Sequence, residues 1–248
     1  MKTLSILFAL VFSAQALNAQ FSEANESALY TDYAELLDKY ATATGVDYAK
    51  WAKSTDDLKA VDSILKTWSK LDLSELSFDQ QKAFYINLYN LGMLKAVFDA
   101  YPVKSVTEIL PDFGIFKKPF IQQSGRTLSL DDVEKVILLK EYPDPRIHWA
   151  VNCASRSCPP LRSEPFLSSK LDEQMDEQAQ IFLNDQWGVQ VKGREVHVSA
   201  LFDWYKHDFP TENPIEYINP YRTGAKLPAK ASVKFLPYDW SLNTPLSE

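Results

Sequence analysis

Apolar residues recur at helical spacing through the first half of the chain. Leu29 and Tyr33 belong to one such segment, and a second segment covers residues 55–68. Residues 78–101 form the most apolar segment, and Pro102 closes it. These patterns predict three helices that dominate the N-terminal half, the last of them strongly apolar.

The second half of the chain alternates short apolar runs with turn residues. Residues 147–151 have the pattern of a short buried strand, and residues 187–198 that of a hairpin. Residues 113–128 predict another hairpin, while helical spacing returns at 133–138 and 171–183. We therefore predict a single α+β domain whose small, mainly antiparallel sheet carries the central strand and the later hairpin. The predicted core consists of Phe84, Ile86, Leu88, Leu94, Ile147, Trp149, Val151, Phe182 and Trp204.

Residues 146–161, which read RIHWAVNCASRSCPPL, concentrate the reactive side chains of the chain. An apolar run leads into a polar loop that two prolines close, and loops at strand ends commonly carry functional residues. The candidate site residues in this segment are His148, Asn152, Cys153, Ser155 and Cys158.

Three more polar side chains fall in predicted helices. Asn87 and Asn90 are three residues apart and share one face of an apolar helix, where a buried amide needs partners. They are expected to hold the backbone of a neighbouring loop. Alternatively, the loop that they hold is the one after Val151, or one of them faces a substrate. Glu134 lies in a first helical turn, where the helix dipole stabilises a carboxylate whatever its function. We expect these three residues to converge with the polar residues of segment 146–161.

Composition and charge indicate an acidic globular protein. The chain has 26 basic and 33 acidic residues and a net charge of −7, without the clustered basic footprint of a nucleic-acid-binding protein. Residues 1–19 have the pattern of a signal peptide, with cleavage after Ala16 or Ala19. Their apolar run is too short to span a membrane. We therefore expect a periplasmic or secreted protein whose residues 20–248 form one domain without a transmembrane segment.

That location makes a Cys153–Cys158 disulfide the first expectation for the two cysteines. Their C-x4-C spacing differs from the C-x-x-C of thioredoxin-type motifs, and the three histidines show no metal-binding pattern. The sequence also contains neither a phosphate-binding loop nor a dinucleotide fingerprint. No metal or cofactor is therefore predicted, and the partner stays unknown.

Four motifs in order resemble DUF547, a domain family of unknown function. The resemblance covers about residues 77–209 and is carried by FYINLYN at 84–90, LSLDDVE at 128–134, RIHWAVNCASRSCPPL at 146–161 and FDWYKHDF at 202–209. It implies a secreted bacterial member of that family. Relatives often have histidine where this chain has Lys135, and some plant relatives have serine at the position of Cys158. The resemblance thus implies that Cys153 is the more specific of the two cysteine positions.

Two functions stay open at this stage. The first is a binding or scaffold module whose loop is stapled by the disulfide, which would stabilise the loop only modestly because so few residues are enclosed. The second is a hydrolase or acyltransferase similar to papain-like enzymes, with a papain-like core. Cys153 would then be the nucleophile and His148 the base that lowers its pKa, while Asn87, Asn90 or Asn152 orients the histidine or stabilises an oxyanion.

Geometry sets a condition on the enzyme hypothesis. In a straight strand, His148 and Cys153 would point to opposite faces, so the chain must turn at Asn152 for them to meet. Cys158 is expected to be the less reactive thiol, because the prolines beside it supply no backbone N–H donors.

Overall fold

A long buried helix is the centre of the N-terminal half of the fold. The computed structural model describes residues 21–245. Every residue from 82 to 94 is buried, so the long helix is enclosed on all sides, as its apolar sequence predicts. It begins with a reciprocal capping box between Ser77 and Gln80. The helices of this half are α1 Glu23–Leu29, α2 Thr31–Tyr40, α3 Tyr48–Trp51, α4 Thr55–Trp68 and the long helix α5 Phe78–Ala100, and they are accompanied by the antiparallel two-residue strands β1 Ala41–Thr42 and β2 Gly45–Val46.

Short elements make up the middle of the chain and lead to the central segment. A π-helix, Asp132–Leu138, packs on α5 and stands where the sequence predicts a helix. The other regular elements are α6 Gly114–Lys117, the antiparallel pair β3 Ile121–Gln123 and β4 Arg126–Leu128, α7 Leu139–Glu141, α8 Ile147–Ala150 and 3₁₀ turns at Leu73–Glu75, Val106–Glu108 and Pro111–Phe113.

A three-stranded sheet lies in the C-terminal part. Its order is β5-β6-β7, in which β5 and β6 form the predicted antiparallel hairpin and β7 pairs parallel with β6. The elements of this part are α9 Leu171–Asn184, β5 Val189–Lys192, β6 Glu195–Val198, α10 Leu201–Trp204, α11 Pro214–Ile218, β7 Ser232–Phe235 and 3₁₀ turns at Ser168–Lys170 and Asn219–Tyr221. The mixture of helices and small sheets makes this an α+β fold in one compact domain.

The central apolar run is a helical turn and not the predicted strand. Residues Ile147–Ala150 form α8, and the chain becomes extended at Val151. Ile147 packs in the larger hydrophobic cluster, around α5, while Trp149 packs in a smaller cluster with Phe182 and the β5–β6 sheet. Because the run is buried on both sides, its sequence carries no helical period, and a short apolar run of this kind is easily taken for a strand.

Two further predictions are wrong. Residues 113–117 are helical instead of extended, and the hairpin is confined to Ile121–Leu128. The backbone at Asp112 and Phe113 is left-handed, with φ values of 55° and 54°, which is incompatible with a strand. Trp204 was expected in the core but is 49% exposed, because it lies at the end of α10 beside the cavity described below. The other predicted core residues are buried.

None of the helices within residues 21–245 is both long and apolar enough to cross a membrane. The predicted signal peptide, residues 1–19, lies outside the described residues. Its cleavage therefore stays a prediction, as do the domain limits of 20–248.

Candidate functional site

A cavity of about 380 Å³ opens beside the central segment. Cys153, Cys158 and His148 line it together with side chains from the π-helix, α10 and the C-terminal segment. The two thiols and the imidazole therefore face one space, as predicted, and the chain makes the turn that this convergence requires. The helical turn at α8 and the change to extended backbone at Val151 supply the required change of direction.

Asn90 holds the segment that carries the first cysteine. From the buried face of α5, its Nδ2 donates to the carbonyl of Ala150 at 3.0 Å, and its Oδ1 accepts from the N–H of Asn152 at 2.8 Å. These two bonds satisfy the backbone on both sides of Val151, where α8 has ended. Asn90 thus fixes the chain directly before Cys153, which is the loop named in the second interpretation of the paired amides.

Asn152 forms the turn itself. Its Nδ2 donates to the carbonyl of Pro159 at 2.7 Å, and its Oδ1 accepts from the N–H of Ala154 at 2.9 Å. Ala154 is left-handed at φ 60°, a conformation that costs free energy for a residue with a Cβ. Asn243 also donates to Asn152 Oδ1, at 3.3 Å, so the C-terminal segment supports the turn. The side chain of Asn152 is therefore occupied by the loop and shapes it.

Cys153 is a half-buried thiol with three polar neighbours. Its Sγ lies 3.0 Å from Ser155 Oγ and 3.3 Å from the hydroxyl of Tyr238. Burial alone would raise the pKa of Cys153, but hydrogen bonds from Cys158, Ser155 and Tyr238 outweigh burial and lower it to about 7. The lowered pKa was predicted, but the groups that cause most of it are these three instead of His148.

The second cysteine is a half-buried neighbour of the first. The N–H of Cys153 donates to Cys158 Sγ at 2.9 Å, and the Cys158 thiol in turn faces the carbonyl of Val151 at 3.8 Å. Both cysteines are free thiols, so the predicted disulfide is absent from this structure. Burial and the adjacent Cys153 raise the pKa of Cys158 well above its ordinary value. Cys153 is thus the more acidic of the two thiols.

The side chain of His148 is held by a carboxylate and packs between aromatic rings. Its Nε2 lies 2.9 Å from Asp208 Oδ2, and its ring lies against Tyr205 at 4.2 Å and Phe209 at 5.6 Å between centroids. The side chain is almost fully buried, while that of Asp208 is 35% exposed. A carboxylate bonded to one ring nitrogen fixes the orientation and tautomer of a histidine. This pair therefore has the arrangement of a base and its orienting group.

Glu134 reaches the same cavity from the π-helix. Its Oε1 accepts from the hydroxyl of Tyr205 at 2.8 Å. Burial and the negative charge of Glu134 raise the pKa of Tyr205, so the phenol stays protonated and keeps donating. Because Tyr205 also covers the ring of His148, Glu134 is connected to the histidine through one side chain.

The predicted site residues fall into three groups. Glu134, His148, Cys153 and Cys158 line the cavity, and Asn90, Asn152 and Ser155 form the hydrogen-bonded layer behind them. Asn87 is not with them, because both ends of its amide bind the backbone of Phe166, at 2.8 and 2.9 Å. One predicted member thus holds a different loop.

Three residues of the site were not predicted. Asp208 and Tyr205 lie in the motif FDWYKHDF, where charged residues among aromatic ones were the available signal. Tyr238 lies 85 residues from Cys153 and has no sequence feature that marks it. Within residues 21–245, no group of three or more histidine, cysteine, aspartate or glutamate side chains is placed to hold a metal ion.

Comparison with known families agrees with the motif resemblance. Residues 73–183 match the family described as "Protein of unknown function, DUF547". The match covers a little under half of the chain and includes three of the four motifs, while FDWYKHDF lies beyond it. Neither the comparison with curated proteins nor that with solved structures found a match. The expected papain-like core therefore stays a prediction.

Proposed function

We propose that this protein is a cysteine-dependent hydrolase or acyltransferase with Cys153 as its nucleophile. The observation that carries the proposal is the pairing, in one cavity, of an acidified thiol with a histidine bonded to a carboxylate. A pKa of about 7 makes about half of Cys153 a thiolate at neutral pH, and the thiolate is the nucleophilic form. His148 and Asp208 supply the base and the group that orients it.

The reaction would proceed in two steps. In the first, the Cys153 thiolate attacks the carbonyl carbon of an ester, thioester or amide, and a C–S bond forms. The bond to the leaving group then breaks, and His148, which has taken the proton of the Cys153 thiol, passes that proton to the leaving group. In the second step, water or another acceptor loses a proton to His148 and attacks the thioester, which releases the acyl group and restores the thiolate.

The surrounding groups suit these steps. With the Nε2–H of His148 donated to Asp208, Nδ1 carries the lone pair that accepts and returns the proton. Burial and the nearby Cys153 raise the pKa of Tyr238, which therefore stays protonated as a donor beside the sulfur. A donor at 3.3 Å from Sγ is placed near the oxygen of a carbonyl under attack, where developing negative charge needs a partner.

Hydrolysis of p-nitrophenyl acetate tests the proposal. Cys153→Ser should abolish protein-dependent turnover, and His148→Ala should lower it by about a hundredfold or more, the usual worth of a general base. Cys158→Ser should keep a measurable rate, because the nucleophile is still present. Equal turnover by the wild-type protein and Cys153→Ser would show that the thiol does no covalent chemistry.

We also propose that the protein acts in the periplasm or is secreted. The signal-like pattern of residues 1–19 supports this. The intact mass of the protein isolated from a periplasmic extract or the medium should correspond to a chain that begins at Leu17 or Gln20. A mature protein that keeps Met1 would contradict the proposal.

A second candidate is a binding module without turnover. The observation that favours it is a set of partly exposed aromatic side chains at the cavity, which would suit a ligand equally well. The hydrolysis experiment distinguishes the two, because a binding module has no activity for Cys153→Ser to remove.

A further inference from the structure

Five aromatic side chains form a continuous wall along one side of the cavity. We call this set the aromatic wall; it consists of Phe113, Phe116, Trp204, Tyr238 and Trp240. Trp240 is its centre: the ring centroids of Tyr238, Phe113 and Trp204 lie 4.5, 4.7 and 5.8 Å from it. The rings of Trp204 and Trp240 are nearly parallel, at 13°. Three separate segments of the chain thus contribute to one apolar surface.

The aromatic wall is more exposed than core packing would leave it. Trp204 is 49% and Phe113 is 39% exposed, although the rings contact each other. Contiguous exposed apolar surface on a globular protein commonly marks a binding site. Phe113 is moreover held in a left-handed backbone conformation, next to a second left-handed residue, Asp112. Such strain is costly for a bulky residue and concentrates at functional sites.

The charged side chains that line the cavity are Lys117, Asp131, Glu134 and Lys135, and two of them form an ion pair. Lys135 lies 2.8 Å from Asp131, and Glu134 accepts its hydrogen bond from Tyr205. Lys117 is exposed. The five side chains of the aromatic wall carry no charge themselves, so an uncharged apolar group fits them best.

Tyr238 connects the wall to the thiol. Its hydroxyl lies 3.3 Å from Cys153 Sγ, while its ring contacts both Trp204 and Trp240. An acyl group attached to Cys153 would therefore pass beside Tyr238 before it reaches the two tryptophans. We infer that the acyl group this protein transfers is large and apolar, and that the aromatic wall selects it; this inference rests on the proposed function.

Acylation by p-nitrophenyl esters tests the inference, because the leaving group stays constant while the acyl chain changes. Wild-type protein should be acylated at Cys153 at least about tenfold faster by p-nitrophenyl octanoate than by the acetate, since methylenes that enter an apolar pocket are discriminated by such factors. The measurement is mass spectrometry of protein quenched with acid after single-turnover mixing. Equal rates for the two esters would overturn the inference.

The matched variants are Trp204→Ala and Phe235→Ala. Both residues are about half exposed, at 49% and 47%, but Phe235 lies on β7 and does not line the cavity. Trp204→Ala should lower the octanoyl-to-acetyl ratio by about tenfold, whereas Phe235→Ala should keep the wild-type ratio. If the two variants behave alike, the wall does not select the acyl group.

A binding experiment separates failure of the inference from failure of the proposed function. Octanamide is apolar and has no reactive ester, so its binding is measured by tryptophan fluorescence without any turnover. Saturable binding that weakens in Trp204→Ala but not in Phe235→Ala supports the apolar site even if no ester acylates Cys153. If octanamide gives no saturable change with wild-type protein, the inference is wrong, whatever the esters do.

Discussion

Replacing Asn90 by alanine should both destabilise the protein and reduce the reactivity of Cys153. Asn90 is buried in α5, and its amide holds the backbone of Ala150 and Asn152. Asn87 provides a matched control: it is three residues away on the same face, equally buried, and its amide holds the backbone of Phe166 in the same two-bonded way. Each variant therefore removes two hydrogen bonds between a buried amide side chain and the backbone, but the two variants act on different loops.

The expected loss of stability follows from the groups left without partners. Each variant leaves one buried backbone N–H and one buried carbonyl unsatisfied, and each such group costs about 1–3 kcal/mol. We therefore expect both Asn90→Ala and Asn87→Ala to lower the free energy of unfolding by about 2–6 kcal/mol, and by similar amounts. Denaturant unfolding followed by tryptophan fluorescence measures this quantity.

The reactivity of Cys153 should distinguish the two variants. At a pH of about 7, where wild-type Cys153 is about half ionised, iodoacetamide should label Asn90→Ala several times more slowly than Asn87→Ala. The reason is that only Asn90 fixes the chain that aims the sulfur at Ser155 and Tyr238. Equal labelling rates, or a stability loss of less than about 0.5 kcal/mol as at surface sites, would refute this account of the loop.

Three further predictions concern pH, the histidine and the core. The alkylation rate of Cys153 should rise about tenfold per pH unit below 7 and level off above it, because the thiolate fraction grows as pH rises through a pKa of about 7. Cys158, whose pKa is raised, should stay unlabelled over the same range. A midpoint above about pH 8 for Cys153 would contradict its lowered pKa. Asp208→Asn should lower the rate of ester hydrolysis by at least about tenfold, since an amide no longer stabilises the imidazolium of His148. The pH midpoint of Cys153 alkylation should stay unchanged. A shifted midpoint with unchanged hydrolysis would contradict the role of Asp208 as the group that orients His148. Leu88→Ala, in the buried part of α5, should cost about 2–5 kcal/mol in chemical denaturation, and a change within about 0.5 kcal/mol would place this position at the surface.

Helical periodicity made α2, α4 and α5 predictable, because each of these helices is long enough for its spacing to be distinctive, whereas the four-residue α3 was not predicted. The segment 147–151 was not predictable in this way. It is one turn long and is buried against two hydrophobic clusters, so apolar residues occur on both faces and no period is visible. The α+β fold class was still predicted correctly, because the three-stranded sheet is formed by the β5–β6 hairpin and β7 and does not include this segment.

The candidate site was predictable where its residues are close in sequence or stand out against an apolar background. Asn90 was recognisable as a buried amide in α5, and the two cysteines as the centre of the loop. Asp208 and Tyr238 become neighbours of His148 and Cys153 only through long-range packing. Spacing along the chain carries no information about such contacts, so the orienting carboxylate and the phenol beside the thiol had to come from the structure.

The central claim is that Cys153 forms a covalent acyl intermediate. Its most direct test is to mix the reduced protein with p-nitrophenyl octanoate, quench with acid within one turnover and map the adduct by peptide mass spectrometry. The account predicts a hydroxylamine-sensitive octanoyl thioester on the peptide that contains Cys153, and no such adduct on the Cys153→Ala protein at the same mixing time. An octanoyl group found only on lysines, or on Cys158 in preference to Cys153, would contradict it.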